Sequence, residues 1–197
     1  MVITKITFAV ILSIIFTVSL SIIYFSKKRI ENTENKIYRF LIVSNIAGLV
    51  LHLICDTVSY YYDSIPTIIS VIPLKLLLVY YLLFGTLILT YLLSISNLEK
   101  IKLSIKIIKI IFLVSTIIIF VLPQNIVVDK EKYIFYTNGL DTKFVFFISG
   151  IEILIMFLIT IIKFKKLNKT KLIPLILFSL LAVISTAVQN LFPEIVF

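Results

Sequence analysis

The stretch "VIPLKLLLVYYLLFGTLILTYLLSI", residues 71–95, runs through 25 positions with a single charge, Lys75. A helix rises about 1.5 Å per residue, so roughly 20 apolar residues cross the roughly 30 Å of hydrocarbon in a bilayer, and this run exceeds that length. It therefore reads as a membrane span. Comparable apolar runs lie on both sides of it, at about 2–25, 37–61, 104–122, 144–162 and 172–190. The expected fold is all-α: one polytopic helical membrane domain over residues 1–197, with six transmembrane helices.

Local breakers set the expected boundaries. In "YYYDSIPTIISVIP", residues 60–73, Pro66 and Pro73 disfavour one continuous helix, which places the start of the third span near Val71. Pro174 falls in the first turn of the sixth, where a missing N–H costs no bond. The fourth run is interrupted by Lys102, Lys106 and Lys109, whose ammonium groups could snorkel to the interface. An interfacial amphipathic helix stays open as its alternative.

Composition agrees with a membrane protein: 60% of the 197 residues are hydrophobic and 15% charged, which excludes an ordinary soluble domain. A net charge of +9 in a soluble chain would suggest nucleic acid, but the basic residues here gather between apolar runs. Lys27, Lys28, Arg29, Lys36 and Arg39 follow the first run, Lys100, Lys102, Lys106 and Lys109 the third, and Lys163, Lys165, Lys166, Lys169 and Lys171 the fifth. These three connections carry 14 of the 19 basic residues and, in Glu31, Glu34 and Glu99, 3 of the 10 acidic ones. The positive-inside rule puts them in the cytoplasm and both termini outside, with no nucleic-acid partner expected. The first run carries only Lys5 ahead of it and its basic cluster behind, which favours a retained anchor over a cleaved signal peptide.

The connection "PQNIVVDKEKYIFYTNGLDTKF", residues 123–144, is the longest on the outer side. Its "KYIFYTNG" alternates, and Asn138 and Gly139 suit a tight hairpin turn, with a plain loop as the alternative. Tyr133, Phe135 and Tyr136 would then sit at headgroup level.

Ionisable groups in hydrocarbon are costly unless paired or hydrated, so their positions carry the functional reading. "HLICD", residues 52–56, holds the only histidine and the only cysteine. His52 and Asp56 are four apart and share a helix face, whereas Cys55 and Asp56 point about 100 degrees apart. Lys75 lies level with them and is expected to pair with Asp56, Asp63 or Glu152. Glu152 lies nearer mid-depth, beyond the reach of a snorkel, and is expected either to hydrogen-bond to a serine, asparagine or tyrosine, or to serve as a ligand contact or protonation switch in a lined cavity. Gln189 and Asn190 end the sixth span on the same side. His52, Asp56, Lys75, Glu152, Gln189 and Asn190 are thus the ligand-binding candidates, against the simpler reading of a satisfied polar core. One cysteine and one histidine are too few soft ligands for a structural zinc site, so neither a metal nor a cofactor is expected. No phosphate-binding loop, "HExxH" or nucleophile motif is present, so no catalytic residue is assigned. Gly48, Gly85 and Gly150 are expected to permit close helix approach.

At "SKKRIENTENKIYRFLIVSNIAGLVLHLICD", residues 26–56, and "VISTAVQNLFPEIVF", residues 183–197, the chain resembles the N-terminal membrane region of bacterial sensor histidine kinases with a GHKL-type ATPase domain. The matching positions are Glu34, Asn35, Lys36, Ile37 and Tyr38, with Phe192, Pro193 and Glu194 near the C-terminus. The resemblance implies an outside N-terminus and seven crossings before a cytoplasmic coil, a phosphoacceptor segment and the ATP-binding domain. The chain stops at Phe197, and its one histidine lies in a membrane run, so the expectation is an input region, truncated or stand-alone, in the bacterial cell membrane. Its partners would be the lipid bilayer, a small outside or membrane ligand, and a second copy in a homodimer. Two rivals stay open: the membrane-embedded substrate-binding subunit of an uptake transporter, and an assembly protein with no ligand.

Overall fold

The computed structural model describes residues 5–28, 31–96, 101–129 and 134–163, together with five separate helical positions at 173, 176, 177, 180 and 184. Within these lie α1 (Lys5–Phe25), α2 (Thr33–Tyr60), α3 (Thr67–Ile95), α4 (Ile101–Val121) and α5 (Leu140–Lys163), with a short 3-10 turn at Tyr62–Ser64. Strands β1 (Ile126–Asp129) and β2 (Ile134–Thr137) form an antiparallel hairpin between α4 and α5. Five helices among the described residues are long and apolar enough to cross a membrane, which corrects the expected six to five. The run at 172–190, with Pro174, Gln189 and Asn190, lies outside the described residues apart from those five positions.

Several ends are built from local chemistry. The Asn32 side chain accepts a 2.7 Å hydrogen bond from the backbone N–H of Asn35, capping α2, and Glu34 lies in the first turn beside the positive end of the helix dipole. The third helix begins at Thr67 rather than near Val71, directly after Pro66, and carries Pro73 in its second turn. Proline needs only its own φ and forfeits one helical bond, a loss that the packed apolar residues around it outweigh. The hairpin also departs from expectation at its turn. Asn138 donates its N–H to the carbonyl of Asn125 at 2.9 Å, prolonging the ladder, and Gly139 leads directly into α5. The strands are therefore joined through 130–133, outside the described residues, and not through Asn138–Gly139. Tyr133 and the Phe135 side chain likewise lie outside the described set.

α3 is the centre of the bundle and packs against α2, α4 and α5, whereas α1 lies on α2. Most of its length is buried against these neighbours, with Leu74, Leu77, Leu82, Leu89, Leu92 and Leu93 all buried, while Ile68, Ile69, Ile72 and Leu76 near its start stay exposed. Three apolar clusters follow its length. Cys55, Leu74 and Leu77 meet Ile126 of the hairpin; Leu78 and Leu82 meet Ile119 and Val145; Ile88, Leu89 and Leu92 meet Met156. In contrast α1, α4 and α5 expose large side chains, among them Phe16, Ile117, Val121, Phe147 and Ile162, as hydrocarbon-facing surfaces do.

Two glycines sit at close approaches. A Cβ on Gly48 would overlap the ring of Tyr80 across the α2–α3 contact, and a Cβ on Gly85 would meet the carboxyl group of Glu152. Among the described residues nothing lies within 4 Å of a Cβ built at Gly150, so the described helices make no tight approach there. Gly48→Ala is expected to cost about 2 kcal/mol, because an aromatic ring must be displaced from a packed contact. Chemical unfolding in detergent micelles measures this, and Gly48→Ala with Tyr80→Ala should lose less than the two single costs added together.

Candidate functional site

The helices alternate in direction, so the bundle has two ends. The hairpin end collects the start of α1, the ends of α2 and α4, and the starts of α3 and α5; the opposite end carries Lys27, Lys28 and Arg39. The sequence-assigned polar residues in the described part fall into three separate places.

The first lies between α1 and α2. His52 Nδ1 stands 3.5 Å from Asp56 Oδ1, and the Thr7 hydroxyl is 3.5 Å from Asp56 Oδ2. Both side chains keep about a fifth of their surface exposed, at 19% and 18%. One turn of separation brings an imidazole and a carboxylate together, as the spacing requires. Cys55 points elsewhere, into the apolar cluster with Leu74 and Leu77.

Lys75 forms the second, and it overturns the expected ion pair. Its ammonium, on a residue only 7% exposed, donates to the carbonyls of Ile119 at 3.0 Å, Phe120 at 3.0 Å and Leu122 at 2.7 Å. Neither Asp56, Asp63 nor Glu152 pairs with it among the described residues. The last carbonyls of a helix have no partner within it and form the negative end of its dipole, so three ammonium protons find three acceptors there. Asp141, in the first turn of α5, lies at the same end of the bundle.

Around Asp141 is a group the sequence did not single out. Asp141 is fully buried, and its Oδ1 accepts from the Thr142 N–H at 2.7 Å. The Thr142 hydroxyl lies 3.1 Å from that of Thr137 on β2, tying the hairpin to α5. Asp141 Oδ2, both polar atoms of the Gln124 side chain and the hydroxyl of buried Ser70 have no hydrogen-bond partner among the described residues. Gly139 holds this group tight: a Cβ there would meet Asp141 Oδ1, the Pro123 carbonyl and the Gln124 Cα. Buried polar atoms without partners are rare in folded proteins, and those of Asp141 and Gln124, two residues that meet at Gly139, mark a candidate binding site. In the sequence Asp141 reads as a loop acid after Asn138–Gly139, and only the register of α5 turns it inward.

Glu152, near the middle of α5, is the third. It is 8% exposed and its Oε1 accepts a 2.6 Å hydrogen bond from the Thr86 hydroxyl of α3. A buried hydrogen bond is therefore made, but to a threonine and not to the serine, asparagine or tyrosine expected. At the opposite end the Tyr91 hydroxyl lies 3.3 Å from Glu34 Oε1, and the rings of Tyr24, Tyr38 and Tyr91 follow one another at 4.9 Å and 5.9 Å. These contacts bring together α1, α2 and α3.

His52 with Asp56, Lys75, and Glu152 do not converge on one pocket: each holds a different pair of helices. The fold defines a multi-pass α-helical membrane protein, with α3 joined by polar contacts to α2, α4 and α5. No protein-family model, curated protein or solved structure matches this chain.

Proposed function

We propose that the chain is the membrane-embedded input region of a signalling protein, of the kind that precedes the catalytic part of GHKL-type sensor kinases in the bacterial cell membrane. The chain performs no catalysis of its own. A small ligand arriving at the hairpin end takes up the open hydrogen-bonding atoms of Gln124 and Asp141 and changes how α3 holds α4. Its effect is a population shift between helix arrangements, carried toward the basic end by α3.

The observation that carries this reading is the Lys75 clamp beside those unfilled polar atoms. A buried ion-dipole contact has two discrete states, made and broken, and a ligand that competes for Asp141 favours one of them. Spin labels at Phe40→Cys and Leu103→Cys, both exposed positions toward the basic end, report the relay in nanodiscs. Lys75→Met is expected to shift their distance distribution, and Lys75→Arg to shift it less. An unchanged distribution, with the α3–α4 separation altered only near Lys75, would sink the relay.

A further inference from the structure

Glu152 has a feature that hydrogen bonding to Thr86 leaves unexplained. Its second oxygen, Oε2, lies against the backbone of α3 at Gly85 and has no hydrogen-bond partner among the described residues. Only a residue without a Cβ leaves room for it there. An ionised carboxylate in this place would keep a full charge in a low-dielectric contact with one donor, which costs several kcal/mol unless a cation stands close.

Among the described residues, the groups facing it supply no such cation. On α3, Gly85 and Thr86 meet the carboxyl, and Lys75 lies ten residues earlier, about 15 Å along the helix, with its three protons committed to α4. On α4, Lys106 and Lys109 are exposed. On α5 itself, Asp141 and Lys163 are each eleven residues away, about 16 Å. The apolar neighbours Ile88, Leu89 and Met156 fill the contact one turn further on.

We propose that Glu152 is a proton-binding site: the carboxyl group holds its proton while α3 and α5 are packed, and gives it to water when they part. The ligand is the proton itself, and the site works whether or not the hairpin end takes a ligand. The sign follows from linkage. The packed arrangement binds one proton more than the parted one, so alkaline conditions favour parting and acid conditions favour packing.

Infrared spectroscopy of the full chain in nanodiscs tests this, because a protonated carboxyl has a carbonyl stretch separate from the carboxylate bands. The wild type is expected to show that band at neutral pH, Glu152→Gln to lose it, and Asp141→Asn to keep it. Labels on exposed positions of α3 and α5 should move apart with rising pH in the wild type and stay fixed in Glu152→Gln. A wild-type spectrum with carboxylate bands alone, or a protonated band indifferent to Glu152→Gln, would overturn the assignment. So would a pH-dependent separation that survives Glu152→Gln. Should Glu152→Gln not fold, Thr86→Val keeps the acid and removes its donor. The carbonyl band must then shift, and an unmoved band would equally overturn the proposal.

Discussion

Replacing Lys75 with methionine is expected to destabilise the bundle by about 3 kcal/mol, the largest effect of any single polar substitution in the chain. Methionine matches the length of the lysine stem and keeps its packing against α4. What is lost is the ammonium, and with it the donors for the carbonyls of Ile119, Phe120 and Leu122. Ile119 is wholly buried, so water does not replace the missing bond at its carbonyl without loosening the end of α4. Part of the loss is offset because a buried ammonium carries a desolvation cost that methionine does not. Titration with denaturing detergent measures the change, and Lys75→Arg, which retains charge and donors, should recover a good part of it. A Lys75→Met variant within about 1 kcal/mol of wild type would show that the three bonds add little beyond what lipid or water supplies.

Gly139→Ala is the second large effect, expected at about 2–3 kcal/mol. The new methyl would overlap the Asp141 carboxylate, the Pro123 carbonyl and the Gln124 Cα. A side chain can rotate away from such an overlap; two segments of backbone held by the ladder bond between Asn138 and Asn125 cannot. For this reason Gly139→Ala combined with Asp141→Ala should stay as unstable as the worse of its parents. Gly150→Ala supplies the contrast within the same measurement. No described residue would meet a Cβ at Gly150, and alanine is the better helix former, so this variant should match or exceed the wild type by up to about 1 kcal/mol. A loss at Gly150→Ala as large as that at Gly139→Ala would mean that crowding at the hairpin joint does not set the cost.

How far the candidate site can be read from sequence depends on how local each contact is. The approach of His52 to Asp56 is fixed by helical spacing, and four residues suffice to anticipate it. Glu152 stands out because a carboxyl inside an apolar run must find a donor, although that Thr86 is the donor depends on how α3 meets α5. The Lys75 contact was the hard case. Sequence reasoning pairs a buried cation with an acid, yet its partners are backbone carbonyls, which every residue possesses and no letter of the sequence marks. Asp141 and Gln124 went unremarked for a related reason. They belong to a connection that looks exposed until the hairpin folds back over the end of α2 and the start of α3.

By itself, the sequence determined the class of molecule and the position of the described spans, because crossing hydrocarbon requires length and apolarity, and both are properties of a single segment. The tertiary structure alone decided which helix lies at the centre, how many described helices make the bundle, and what the buried charges touch. In a membrane both the protein-facing and lipid-facing sides of a helix are apolar, so no polar stripe in the sequence distinguishes them. α3 and α4 read almost alike as strings of leucine and isoleucine. Only packing makes one the buried hub and leaves the other on the lipid-facing surface, held at one end by Lys75.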